Sequence, residues 1–86
     1  MLRSKLYEIM KAYKEEAHIK HTILFRYTNH KLIICTDRPG YMIGMRGSLV
    51  EKYNQICRDI DKNFDGIEFV ETEGIVWLIL KHLKKI

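Results

Sequence analysis

Glycine and proline are concentrated in one segment, residues 36–53, which reads TDRPGYMIGMRGSLVEKY. It holds three of the five glycines and the only proline of the 86-residue chain. Proline cannot donate to a strand ladder and disfavours a helical conformation in the residue before it, so Pro39 and Gly40 are expected to end a strand. Gly44 and Gly47 then separate a short helical turn at 41–43 from a longer helical pattern. The segment is predicted to be helix, glycine hinge, helix.

The longer helix is predicted to begin directly after Gly47. Ser48 and Glu51 have the spacing of a capping box, in which a hydroxyl and a carboxylate each accept a backbone N–H at the helix start. Asp65 and Gly66 are expected to end it, because glycine suits the left-handed turn that closes many helices. Apolar spacings of three and four predict its buried stripe: Leu49, Tyr53, Ile56, Cys57, Ile60 and Phe64.

The remaining elements are predicted from hydrophobic periodicity. A first helix spans about residues 2–18 and buries Leu2, Leu6, Ile9, Met10, Tyr13 and Ala17. HTILFRYT and KLIICTD indicate two strands joined by a tight hairpin at Asn29 and His30, and IEFVET indicates a third strand. The apolar run 75–80 fits either a strand or a helix, and Lys81, Lys84 and Lys85 favour an extra C-terminal helix. These elements predict one α+β domain over residues 1–86.

Charge is polarised along the chain, whose formal net charge is +4 with a pI of about 9.1. From residue 18 to 47 the only acid is Asp37, whereas from 59 to 73 the only cation is Lys62. The basic stretch permits a polyanionic partner, although such runs also occur as ordinary solvated faces. The basic side chains are Lys20, Arg26, Lys31, Arg38 and Arg46, and the acidic ones are Asp59, Asp61, Asp65, Glu68, Glu71 and Glu73.

Several functional classes are not supported by the sequence. The longest apolar run is far shorter than the roughly 20 residues that span a bilayer, and no secretory signal pattern is visible, so a cytoplasmic protein without a membrane partner is expected. Cys35 and Cys57 are expected to be reduced core thiols. The histidines at 18, 21, 30 and 82 lack partners at zinc-site spacing, and no nucleophile is placed beside a base. We therefore expect neither an enzyme nor a metal or cofactor.

The glycine hinge has features of an anion site. Glycine permits backbone angles that are closed to other residues and leaves no Cβ to block a ligand. The amino end of the following helix presents free N–H groups and the positive end of its dipole, and Arg46 can add a charge-assisted contact to phosphate. Neither a Walker loop nor a dinucleotide fingerprint fits, because Gly-Lys-Ser/Thr and Gly-x-Gly are absent. An extended sugar-phosphate backbone suits the hinge best; a tight turn between helices is the alternative.

The run Ile43-Gly44-Met45-Arg46-Gly47 matches the Ile-Gly-x-x-Gly signature of KH domains, whose loop clamps about four nucleotides. The wider string RPGYMIGMRGSLVEK resembles the type II, prokaryotic form, and is most similar to the KH domain of the small-subunit ribosomal protein three family. The predicted order of helix-strand-strand-helix-helix-strand, with a three-stranded mixed sheet packed on helices, is also the type II order. Met45 departs from the family, which often carries two basic or polar residues between the glycines.

The resemblance implies a module that binds single-stranded RNA, or DNA, with the phosphates on the loop. The bases would lie in an apolar groove between the helix pair and a neighbouring strand. Ile43, Leu49 or Val50, and Tyr53 are candidates for the groove wall, with an ordinary core role as the alternative for each. The other candidate binding residues are Gly44, Met45, Arg46, Gly47 and Ser48 in and beside the loop, with Arg38 and Lys52 as assisting cations.

A second function is compatible with the same sequence. A KH-like fold can serve as a protein-interaction or assembly module with weak or no nucleic-acid binding. Its partner surface would be the acidic stretch 59–73 or the apolar C-terminal segment around Trp77. Burial of Trp77 against the sheet is the simpler explanation of that residue.

Overall fold

The computed structural model describes residues 2–71 and the backbone of Lys84–Lys85. Its elements are α1 (Arg3–Glu16), β1 (Leu24–Thr28), β2 (Lys31–Thr36), α2 (Pro39–Ile43), a 3₁₀ turn (Met45–Gly47), α3 (Ser48–Ile60), β3 (Gly66–Glu71) and β4 (Lys84–Lys85). The α+β class is confirmed, as is the order of the helices and of the first three strands.

The strands form a mixed sheet in the order β3-β2-β1-β4, so the described sheet is mixed as predicted but has four strands rather than three. β1 pairs antiparallel with β2, with Thr28 opposite Lys31 at the closed end. β2 and β3 are parallel and in register from Lys31 with Gly66 to Thr36 with Glu71. Parallel neighbours need a crossover connection, which here consists of α2, the 3₁₀ turn and α3. The glycine hinge therefore lies inside the crossover, between two helices.

The hairpin between β1 and β2 has the predicted two-residue turn. Asn29 and His30 both have positive φ, 51° and 62°, as a type I′ turn requires. Asp61, just after α3, accepts hydrogen bonds from the Tyr27 hydroxyl and lies 2.7 Å from His30 Nδ1. The N–H of Asp65 donates to the His30 carbonyl at 2.7 Å. The turn is thus fastened to the segment that links α3 to β3.

One hydrophobic core lies between the helices and one face of the sheet. The stripe predicted for α1 is buried apart from Leu2, which precedes the helix in an extended conformation and is exposed. Both cysteines are free and buried, so the prediction of unpaired core thiols is confirmed, and burial raises the pKa of Cys57 to about 11. The core residues include Leu6, Ile9, Met10, Tyr13, Phe25, Leu32, Ile34, Met42, Tyr53 and Cys57.

The predicted ends of α3 need correction. It begins directly after Gly47, as expected, but Ser48 is its first helical residue and no side chain caps it, so the predicted capping box is wrong. It ends at Ile60 rather than near Asp65, because Asp61 adopts an extended conformation (φ −122°, ψ 106°). Phe64 is buried as predicted, but from the loop that follows.

The C-terminal prediction lies mostly outside the described residues. Residues 72–83, including Trp77 and the apolar run, are not described. Lys84–Lys85 pair with Phe25 and Leu24 as β4, antiparallel to β1. A C-terminal helix that includes these two lysines is therefore wrong, since their backbone belongs to the sheet.

Candidate functional site

The connection from β2 to α2 places the first part of the site. β2 ends at Thr36, and the buried Thr36 hydroxyl accepts the N–H of Arg38 at 3.0 Å. Pro39 is the first residue of α2, where its missing N–H costs nothing. Pro39 and Gly40 were expected to end the strand; they begin the helix instead, and the strand ends earlier.

The hinge has a left-handed backbone at three of its residues. Gly44 has φ 76° and ψ 175°, Arg46 has φ 55° and ψ 27°, and Gly47 has φ 75° and ψ 11°. Arg46 is the only non-glycine of the three, and left-handed angles cost such a residue about 1–2 kcal/mol. Arg46 therefore adopts these angles against its own backbone preference.

The two glycines of the signature have different tasks. A Cβ on Gly44 would lie 2.7 Å from Leu49 Cβ and 3.0 Å from the Leu49 nitrogen, so Gly44 permits the close approach of α2 to α3. A Cβ on Gly47 would meet only Val50 Cγ1, at 3.9 Å. Gly44 is thus required by packing, whereas Gly47 leaves its side of the backbone open to a ligand.

The amino end of α3 is available to an anion. The N–H of Gly47 donates to the Gly44 carbonyl at 3.2 Å, and the N–H of Ser48 donates to the Met45 carbonyl. These bonds close the loop, but the first N–H groups of a helix have no intrahelical acceptor. The N–H of Ser48 is thus occupied. The N–H groups that follow it in the first turn have no side-chain acceptor among the described residues, because no side chain caps α3, and the helix dipole has its positive end there.

The candidate cations differ in their surroundings. Arg46 is exposed at the tip of the loop, and the exposed Arg38 guanidinium lies 5.6 Å from the centre of the Tyr41 ring. Lys52 does not join them, because its ammonium contacts the Glu16 carboxylate of α1 at 2.5 Å. The structure therefore keeps Arg46 and Arg38 as candidate phosphate contacts and places Lys52 in an ion pair on the α1 side.

The candidate groove residues are also divided. Ile43 is exposed at the end of α2, and Leu49 and Val50 are half-buried on the first turn of α3. Tyr53 is only 2% exposed, so it has the core role that the sequence left open. Its ring stacks on that of Tyr13, with centroids 4.1 Å apart, and burial together with the nearby Glu16 raises its pKa to about 12.

Tyr13, a buried residue of α1, contacts the end of α2 next to the loop. The sequence did not identify it as a site residue. Its hydroxyl donates to the Met42 carbonyl at 2.5 Å. The last carbonyls of a helix lack intrahelical donors, and in the five-residue α2 this one is satisfied by α1. Through this bond and the stacked Tyr53, Tyr13 positions both helices that flank the hinge. A tyrosine within an otherwise aliphatic stripe was the available signal.

The hinge also borders a groove of about 660 Å³ on the α1 side. One wall is the end of α1 and the other is α2 with the loop. The resemblance would place its base groove elsewhere, towards a strand; α2 and α3 both contact β3. The residues that line the α1-side groove are Glu16, Ala17, His18, Gly40, Tyr41, Gly44, Met45, Ser48 and Leu49.

Three comparisons with known proteins find no counterpart. No family model matches the chain, and neither a curated protein nor a solved structure is significantly similar to it. Within residues 2–71 and 84–85, no helix is long and apolar enough to cross a membrane. In the same residues no three His, Cys, Asp or Glu side chains are grouped as metal ligands. Function therefore has to be argued from the hinge itself.

Proposed function

We propose that this chain is a type II KH domain that binds single-stranded nucleic acid, RNA in the first place, by clamping the phosphate backbone with residues 44–47. The observation that carries the proposal is the left-handed pair Arg46 and Gly47, which leads directly into the uncapped amino end of α3. Backbone N–H groups and a helix dipole directed at one point favour a phosphate. The observed order of helices and strands supports the resemblance on which the choice of ligand depends.

The local charge balance favours the same ligand. Three carboxylates lie near the hinge: Asp37 precedes α2, Glu16 lines the α1-side groove, and the exposed Glu51 lies in the first turn of α3. Asp37 is 2.6 Å from His21 Nε2, and Glu16 is 2.5 Å from Lys52 Nζ. Arg46 and Arg38 make no ion pair with any other described residue. Arg46 and Arg38 therefore remain available to a polyanion, with Glu51 of the first turn of α3 as the opposing charge.

The deciding experiment is a charge substitution at the open glycine. Gly47→Asp adds a carboxylate where the phosphate would lie, and the space beside Gly47 accommodates it. Gly47→Asn is the matched control, because aspartate and asparagine have the same shape and both tolerate left-handed angles. We expect the aspartate to lower affinity for mixed-sequence single-stranded RNA at least about tenfold relative to the asparagine. Circular dichroism should show the same fold in both variants.

Salt dependence provides a second readout of the same contact. Each phosphate that is neutralised on a single strand contributes a slope of about −0.7 to the plot of log affinity against log salt concentration. The wild type should show such a slope for single-stranded RNA and should bind duplex more weakly. Equal binding by the aspartate and asparagine variants would refute the loop as the phosphate site.

The second candidate function is a KH-like module for protein interaction or assembly. Four exposed carboxylates lie at the end of α3, in the connection to β3 and along β3: Asp59, Asp65, Glu68 and Glu71. A basic surface on a partner protein would complement them. The same titration separates the two candidates. If the wild type fails to bind mixed-sequence single strands at low salt, the interaction module is favoured and nucleic-acid binding is excluded.

A further inference from the structure

Apolar side chains are exposed on the two helical turns that carry the hinge. Among the described residues, Tyr41, Ile43 and Met45 are large and apolar and yet 54%, 37% and 83% exposed. Exposing three such side chains within five positions is unfavourable unless a ligand covers them. Ile43 belongs to the helix end beyond which the implied base groove would lie. Tyr41 and Met45, in contrast, line the groove on the α1 side.

We infer that the groove between the end of α1 and the hinge is a second pocket for an unpaired base of the strand that the loop holds. This inference rests on the proposed function. The groove volume of about 660 Å³ lies within the range of pockets that enclose small ligands. Its walls offer the aromatic and thioether surfaces of Tyr41 and Met45, together with the exposed ring of His18. Such surfaces stack on a base without requiring a particular sequence.

The position of the groove makes a base of the same strand its occupant. Gly44 and Ser48 belong both to the loop that would hold the phosphate and to the groove wall. The base of a nucleotide whose phosphate lies on the loop can therefore enter the groove directly, because the loop and the groove share these two residues. The Arg38 guanidinium beside the Tyr41 ring adds a cation at this edge. Asp37, the residue before Arg38, contacts His21, and Glu16 of the groove wall contacts Lys52.

The inference also gives Met45 a function. A basic residue at this position would add affinity for phosphate, whereas an exposed thioether adds a polarisable surface for an aromatic ring. The strand would then cross the loop with one base on the Ile43 side and another on the Tyr41 and Met45 side. The second base extends the bound length beyond the roughly four nucleotides that a KH loop clamps.

The test observes the Met45 methyl group directly. Protein labelled with ¹³C at the methionine methyl groups is titrated with single-stranded oligoadenylates of about four and about six nucleotides. Stacking of adenine should move the Met45 methyl resonance upfield with the longer strand, whereas the buried Met10 and Met42 methyl groups should stay in place. Met45→Leu assigns the resonance. An unmoved Met45 resonance at saturation with the longer strand would overturn the inference.

Affinity measurements supply the second readout. Tyr41→Ala should weaken binding of the longer strand about tenfold and leave the shorter strand unaffected, since base stacking contributes about 1–3 kcal/mol. Ile60→Ala removes an exposed apolar side chain at the far end of α3 and should change neither affinity. Equal affinities of Tyr41→Ala and wild type for the longer strand would overturn the inference.

The outcomes separate this inference from the proposed function. Binding that Gly47→Asp abolishes, without a Met45 shift, keeps the phosphate site and overturns the second pocket alone. Failure of the wild type to bind either strand overturns both. A Met45 shift that appears on raising the protein concentration without oligonucleotide would assign the groove to a second copy of the chain and would also overturn the inference.

Discussion

The turn at Asn29 and His30 and the glycine hinge, residues 44–47, both place non-glycine residues at left-handed backbone angles, but their surroundings differ. At the turn, Asp61 contacts both Tyr27 and His30, and the His30 carbonyl accepts the N–H of Asp65. At the hinge, Arg46 has φ 55° and its side chain makes no hydrogen bond or ion pair with another described residue. Both segments thus contain left-handed non-glycine residues, but only the turn is held by side-chain contacts with another part of the described chain.

This difference distinguishes a structural turn from a candidate binding site. In the turn, contacts within the protein offset the cost of the left-handed residues, so nothing further is needed. In the hinge, the cost at Arg46 is met by its backbone neighbours alone, while its charge faces solvent. Strained backbone occurs often at ligand sites, where it holds groups ready for binding. The comparison therefore favours the hinge over the turn as a ligand site.

The largest expected effect on stability is at Gly44. Gly44→Ala would put a Cβ 2.7 Å from Leu49 Cβ at a φ of 76°, so both overlap and backbone strain oppose it. We expect a loss of about 3 kcal/mol in the free energy of unfolding. Urea denaturation measures it. Gly40→Ala is the matched control, because no atom lies within 4 Å of its Cβ and its φ is not positive.

Gly40→Ala should be neutral or slightly stabilising, since alanine is the better helix former. Equal losses at both glycines would show that the close approach of α2 to α3 does not depend on Gly44. The hinge would then be less rigid than the comparison with the turn assumes.

An intermediate effect on stability is expected when the pH is lowered, through Asp61 beside the turn. Hydrogen bonds from Tyr27 and then His30 lower the pKa of Asp61 from 3.8 to about 2. Because the pKa is lower in the folded protein, the stabilisation is complete above about pH 4 and is lost as the pH falls through about 2. Asp61→Asn should lower the Tm by a few degrees at neutral pH and flatten its fall over this acid range.

The control for this prediction is Asp65→Asn, which changes an exposed aspartate in the same connection. Its Tm should follow the wild-type pH profile, measured by circular dichroism. If Asp61→Asn keeps the full acid dependence, Asp61 is not the group that fastens the turn.

The smallest expected effect comes from placing glycine at Arg46 of the hinge or at His30 of the turn, which both have positive φ. Arg46→Gly removes the strain and no contact with another described side chain, so we expect stabilisation of about 0.5 kcal/mol after the entropic cost of glycine. His30→Gly creates a favourable Asn-Gly turn but removes the contact with Asp61, and these effects should nearly cancel. Thermal unfolding of both variants checks the difference. A destabilised Arg46→Gly would mean that the arginine side chain holds the folded hinge together.

Local patterns predicted most of the elements but few of their ends. The apolar periodicity of α1 and α3 and the apolar runs of β1 and β2 predicted these elements correctly, although Leu2 and Ile60 of the predicted stripes are exposed. The end of α3 was misplaced because Gly66 is the usual signal, whereas Asp61 leaves the helix earlier to contact the turn. The capping box failed because Gly47 takes the N-cap position and Ser48 is already helical. Tertiary contacts outweighed local preference at the end of α3, whereas at its start the left-handed Gly47 decided the outcome.

The candidate site shows the same division. Residues 43–48 were identified from glycine spacing and the expected helix start, and they do meet at one hinge. The contacts of Lys52 and Tyr53 could not be predicted, because which side of α3 faces α1 depends on packing: Lys52 contacts Glu16 and Tyr53 stacks on Tyr13. Tyr13 itself lies some thirty positions before the hinge, and its bond to Met42 has a sequence separation of 29. No local pattern contains such a contact.

By itself, the sequence determined the α+β class, the hairpin at Asn29 and the position of the glycine hinge, because each depends on backbone preferences or on the burial of one periodic face. The tertiary structure alone decided that Gly44 is required by packing while Gly47 is open, that Lys52 is paired, and that Met45 and Tyr41 share a groove with the end of α1. These properties depend on distances between elements far apart in the chain. Such distances arise only when the core packs.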